Sequence, residues 1–113
     1  MTAGDLVHLE LHTRDVEHAA ELGRVLFGWR PAPVATAGVP YLSLDVGCSA
    51  GLVACGAPTA VWVPYVEVED VEACTRRAVD LGAERLLGPR TGPAGRRSVL
   101  RSALGELALW ERR

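Results

Sequence analysis

Three side chains able to exchange protons stand on alternate residues near the start of the chain: His8, Glu10 and His12, in the run Val7-His8-Leu9-Glu10-Leu11-His12-Thr13. Alternate residues of a strand share a face, so the two imidazoles and the carboxylate project one way while Val7, Leu9 and Leu11 project the other. Burying a carboxylate is costly unless it is paired, and one that sits beside an imidazole can be tuned to abstract a proton near neutral pH. Glu10 therefore has two readings, as the structural partner of a neighbouring Arg or His or as a group that serves a ligand. His8 is either held by hydrogen bonds within the fold or in contact with a ligand. His12, near the strand end, is a solvated edge histidine or the third member of the set.

The elements that must position these groups surround them in the sequence. Asp15 stands where a helix needs a side-chain acceptor for its first N–H groups, and Glu17 follows where negative charge suits a helix N-terminus. Val16, Ala19, Ala20, Gly23, Leu26 and Phe27 fall at helical spacing, and Gly28 stops the run before Trp29. The pattern recurs from Val61 to Ala83, where Asp70-Val71-Glu72 repeats Asp15-Val16-Glu17 at an offset of 55 and Leu81 falls on Leu26. In this second copy Tyr65 and Glu67 take the places of Glu10 and His12. Tyr65 offers a ring to stack on a ligand, or simply covers core. Trp62 is expected on the opposite face of its strand, in packing.

The rest of each copy reads as strands. Three prolines between Trp29 and Tyr41 indicate an irregular or edge segment; Tyr41-Leu42-Ser43-Leu44-Asp45 alternates, with Tyr41, Ser43 and Asp45 on one face; Gly51 to Cys55 is a short apolar run. In the second half the helix should turn Val71, Cys74, Ala78 and Leu81 inward, with Glu72 and Arg76 paired at i,i+4 on its wet side. Glu84 to Gly95 reads as a strand fragment and then a mobile loop, and Arg97–Arg101 and Glu106–Trp110 as the last strands. The order is a βαβββ module twice, over residues 5–56 and 60–111 of a single domain spanning 1–113, in an α+β fold.

Composition limits the partners. A chain of 113 residues with a formal charge of −2 and scattered arginines presents no basic stripe for nucleic acid or an anionic membrane. Lys, Ile, Asn and Gln are absent, a bias that discounts the mere number of arginines as a signal. Cys48, Cys55 and Cys74 are odd in number and lack CxxC spacing, so neither a disulfide framework nor a structural zinc site is expected, and a cytoplasmic setting is. No apolar run approaches about 18 residues. Trp29 and Trp110, at element ends, suit core or dimer packing, and a homodimer is expected to cover them and the sheet edges.

The order and separation of His8–Ala19, Leu26–Arg30, Trp62–Ala83 and Leu104–Trp110 resemble the vicinal oxygen chelate superfamily, the group of glyoxalase I, bleomycin-resistance proteins and extradiol dioxygenases. The resemblance covers nearly the whole chain and implies two βαβββ modules forming a cup-shaped mixed sheet, helices outside and ligand within. Metal-dependent members place one ligand on each of four strands. Here His8 matches the first position, but the equivalents are Val63 on the second unit's strand, Leu109 on the final strand, and the segment Gly51–Cys55, where only a thiol is on offer. Leu22-Gly23 and Ser102-Ala103 also depart from the common pattern. The resemblance thus implies no metal and no other cofactor.

Two functional classes remain in front. One is a metal-independent protein that binds a small, largely apolar organic molecule, such as a natural product or antibiotic, through His8, Glu10, His12, Ser43, Tyr65 and Glu67. The other is a metal-free enzyme of isomerase, cyclase or lyase type, with Glu10 and His8 or His12 as its general base. A metal-dependent glyoxalase or dioxygenase stands last.

Overall fold

A computed structural model describes residues 4–35, 41–56, 59–92 and 95–112. The elements are β1 (Leu6–Thr13), α1 (Val16–Phe27), β2 (Ala32–Val34), β3 (Tyr41–Asp45), β4 (Ser49–Ala54), β5 (Val61–Glu67), α2 (Val71–Asp80), β6 (Glu84–Thr91), β7 (Gly95–Ser102) and β8 (Gly105–Arg112). The expected α+β class holds, with eight strands in mixed pairing and βαβββ occurring twice. His8–Val63 form one compact unit and Met1–Val7 with Pro64–Arg113 the other, so the division falls inside β1 and β5.

In the His8–Val63 unit the strand order is β2-β3-β4-β1. Antiparallel pairing joins β2 to β3 and β3 to β4, while α1 provides the crossover that lets β1 lie parallel to β4. Leu11, Leu44, Ala50 and Leu52 from the sheet bury themselves against Ala20, with Val16, Ala19 and Trp29 alongside. Asp15 caps α1 by accepting from the His18 N–H at 3.0 Å. At the other end Gly28 adopts φ 73°, and the N–H groups of Gly28 and Trp29 reach back to the carbonyls of Arg24 and Gly23. This closure folds Trp29 onto the helix: a Cβ on Gly23 would come within 2.6 Å of the Trp29 ring. Trp29 packs against the core from this closure, and Leu26 and Phe27, which share the helical spacing, are exposed at 63% and 66%.

The other unit has the order β5-β8-β7-β6, with β8 parallel to β5 and antiparallel to β7. Val71, Leu100 and Leu109 form its core beneath α2, flanked by Val66, Cys74, Ala78 and Leu107. Asp70 accepts from the Ala73 N–H at 3.1 Å, and Glu111 accepts from the Val71 N–H at 2.9 Å, so two of the helix's first donors are satisfied. Three expectations change here. Leu81 is exposed because α2 ends before it. The inward position belongs instead to Thr75, whose hydroxyl donates to the Val71 carbonyl at 2.6 Å and meets the Ser98 hydroxyl at 2.8 Å. Glu72 pairs with Arg96 of β7 at 2.7 Å, not with Arg76. Finally, β6 continues as a strand through Gly88 and Pro89 to Thr91, accommodating them by two register shifts.

Candidate functional site

Strand register assembles the site within the His8–Val63 unit. Glu10 lies opposite Gly51 and Gly51 opposite Ser43; His12 lies opposite Val53 and Val53 opposite Tyr41. These rows occupy the face turned away from α1, since the intervening Leu11, Leu52, Leu44 and Leu42 pack with the helix. Glu10 is only 6% exposed. Its Oε1 lies 2.9 Å from His12 Nε2 and its Oε2 lies 3.6 Å from His8 Nε2, so the carboxylate is held between two imidazoles. An ionised carboxylate only accepts, so the short contact is a hydrogen bond donated by the His12 Nε2–H.

Both ring nitrogens of His8 are engaged as well. Nδ1 is 2.7 Å from Ser49 Oγ and Nε2 is 2.9 Å from Tyr41 Oη. In the neutral imidazole one nitrogen donates and the other accepts, and each hydroxyl can take either role, so proton placement along Ser49–His8–Tyr41 can invert without moving a heavy atom. Tyr41 starts beside Val53 and reaches His8 by lying across Gly51, where a Cβ would overlap its hydroxyl and Cζ. The glycine makes the room. Among the described residues no buried side-chain nitrogen or oxygen lacks a hydrogen-bond partner, which is how a polar cluster is tolerated here.

The remaining sequence candidates are placed as follows. Ser43 lies in the Glu10 row, and its hydroxyl donates to the Ala32 carbonyl at 3.4 Å. Tyr65 and Glu67 belong to the other unit: buried Tyr65 accepts from Arg97 Nη1 at 3.2 Å, and Glu67 receives Arg112 Nε and Nη2 at 3.1 and 3.3 Å. That Glu67 hydrogen bond, and then its charge, raise the proton affinity of the exposed Arg112 further. Trp62 does not pack away but is 42% exposed, edge-on to Trp29 at 6.3 Å, and Trp110 lies beneath the Arg112 guanidinium at 4.9 Å. Sequence reading missed Tyr41, Ser49 and Gly51 as site residues. The available signals were Tyr41 at the head of an alternating strand and a glycine inside an apolar run, which marks close approach of another group.

The donors for a metal of the family's kind do not fit. Val63, fully buried, and Gly51 and Val53 offer no ligand atoms. Leu109 was expected at the final-strand position, yet it packs beneath α2, because the register sets Val66 opposite Leu109 and Tyr65 opposite Ala108. Its neighbours on the other face, Ala108 and Trp110, cannot ligate either. Among the described residues no group of three or more His, Cys, Asp or Glu side chains is arranged to hold a metal ion. The three cysteines are free thiols, and among the described residues no helix is long and apolar enough to cross a membrane.

No family model matches the chain, and no curated protein matches it in sequence. Solved structures do match in fold. Methylmalonyl-CoA epimerase from Mycobacterium tuberculosis superposes with a TM-score of 0.66 at 16% identity, covering 99% of this chain and 90% of that one. A hypothetical protein from Bacillus halodurans gives 0.71 at 14% identity, covering 97% and 95%. A variant of Streptomyces coelicolor methylmalonyl-CoA epimerase in complex with 2-nitronate-propionyl-CoA gives 0.64 at 17% identity, again covering 97% and 95%. The fold is that of the epimerases.

Proposed function

We propose that this chain is a metal-independent member of the vicinal oxygen chelate superfamily that binds a small carbonyl compound and moves a proton at the carbon beside the carbonyl. The observation that carries the reading is Glu10, buried and held between His8 and His12. A carboxylate whose only purpose is structural could be met by one partner; one bracketed by two titratable rings has a route by which protons arrive and leave. In the first step the C–H bond breaks, its proton goes to a Glu10 oxygen, and the electron pair moves onto the carbonyl oxygen as an enolate. His12, already hydrogen-bonded to Oε1, stabilises the carboxylate before the step and exchanges its proton afterwards. His8 is oriented by Tyr41 and Ser49 through both ring nitrogens, which fixes the imidazole beside Glu10. Return of a proton from Glu10, after exchange through His12, restores the substrate with solvent hydrogen at that carbon, and delivery of a proton to the opposite face of the enolate completes isomerisation there.

The fold likeness supports this reading, since the matched epimerases include one in complex with methylmalonyl-CoA and NH4+. An acyl thioester is therefore a natural member of the test set. The experiment is deuterium incorporation from D2O into a panel of acyl thioesters and 2-substituted carbonyl compounds, followed by mass spectrometry. Exchange above background is the expected result. Tight binding of an aromatic or polyketide compound with no exchange in any panel member would replace this reading with sequestration.

A further inference from the structure

On the Pro64–Arg113 unit, the sheet face turned away from α2 carries a transverse row whose register is Glu67–Trp110–Arg97–Arg90, one residue each from β5, β8, β7 and β6. Arg97 and Arg90 are thus directly opposed on antiparallel strands. Like charges so placed destabilise the pair unless something of opposite sign compensates them. Among the described residues no carboxylate does so: Glu67 is taken by Arg112, Glu84 and Glu106 lie at 3.6 and 3.8 Å from Arg101, and Glu72 meets Arg96 on the helix side. The Arg97 guanidinium instead donates to the neutral hydroxyl of Tyr65.

The strand is shaped to create this opposition. Along β6 the register passes from Leu87, opposite Val99, to Arg90, opposite Arg97, so three steps on β6 answer two on β7. Without that extra residue Pro89 would face Arg97 and Arg90 would turn to the other side of the sheet. Gly88, at φ 74°, makes the bulge feasible, since a Cβ there would fall 2.6 Å from the Arg97 carbonyl oxygen and 3.0 Å from the Arg90 nitrogen. Bulges re-aim side chains in this way, and β6 is the last strand of its unit's order, where they are common. An open depression of about 500 Å³ lies along Arg85–Arg90.

We infer that Arg90 and Arg97 bind an oxyanion, the carboxylate or phosphate group of a small ligand. Two guanidinium forks with free N–H groups match the paired oxygens of such a group, and Tyr65 holds one fork in place. The inference rests on charge and register within this unit and is independent of proton transfer at Glu10. Calorimetric titration with inorganic phosphate and, separately, with acetate, at constant ionic strength set by chloride, tests it. Saturable binding of either anion is expected, acetate alone assigning a carboxylate, phosphate alone a phosphoryl group, and both an oxyanion of either kind. Arg90→Gln and Arg97→Gln should each weaken it roughly tenfold or more, and Arg76→Gln on α2 should leave it unchanged. Should Arg97→Gln misfold, the exposed Arg90 carries the comparison alone. No saturable binding of either anion by the wild type, or binding indifferent to both Arg90 and Arg97, overturns the inference.

Discussion

Glu10 owes its setting to residues that have no chemistry of their own. Gly51, directly opposite, gives no side chain to the face, and that absence lets Tyr41 cross to His8. Gly51→Ala must push the phenol aside or distort β4, and overpacking of this kind costs about 1–3 kcal/mol. Chemical denaturation should report that loss, and the His8 ring resonances should shift as the Tyr41 hydrogen bond breaks. Unchanged stability and unchanged His8 resonances would mean that the phenol is not held across Gly51. The alternation of His8, Glu10 and His12 was legible because strand period is a property of the sequence itself. Their partners Tyr41 and Ser49 were not, since they meet His8 through strand pairing between segments tens of residues apart. Thr75 illustrates the same gap, a hydroxyl in a core position whose tolerance depends on Ser98 across the fold.

At the level of elements, the capping aspartates, both helices and the βαβββ order could be read in advance because each depends on local chemistry. Asp15 and Asp70 cap as their positions demand. What could not be read is where helices stop contributing. Leu26, Phe27 and Leu81 follow the apolar period, but the chain turns beneath Trp29 in one case and the helix ends in the other. The prolines and glycines of β6 likewise suggested a loop, whereas bulges keep the segment in the sheet. Gly88→Ala places a side chain at a positive φ and against the Arg97 carbonyl, so it should destabilise the protein by about 1–3 kcal/mol. It should also release Arg90 from its register, visible as loss of slow amide exchange along β6 and β7. A Gly88→Ala protein with wild-type stability and exchange would contradict the bulge as described.

Taken as a whole molecule, the chain repeats one module in which a helix packs on one sheet face. The repeat was visible in Asp15-Val16-Glu17 and Asp70-Val71-Glu72, while the division inside β1 and β5 was not, because it follows contacts and not sequence punctuation. Val25, Leu26, Phe27 and Trp62 are exposed apolar groups on one unit, and cover by a second copy is the expected arrangement. Sedimentation at tens of micromolar should show a dimer, and a monomer there would count against it. With no suitable ligand atoms at Val63, Gly51, Ala108 or Trp110, protein dialysed against buffer should carry far less than one equivalent of Zn, Ni, Fe or Mn by elemental analysis; one equivalent per chain would reopen the metal-dependent reading. The proposed proton transfer depends on Glu10, and Glu10→Gln keeps its shape while removing its capacity to accept a proton from carbon. Deuterium incorporation into a substrate from the panel should fall by roughly two to four orders of magnitude in this variant, with affinity changed far less. A folded Glu10→Gln protein exchanging at the wild-type rate would show that the base lies elsewhere.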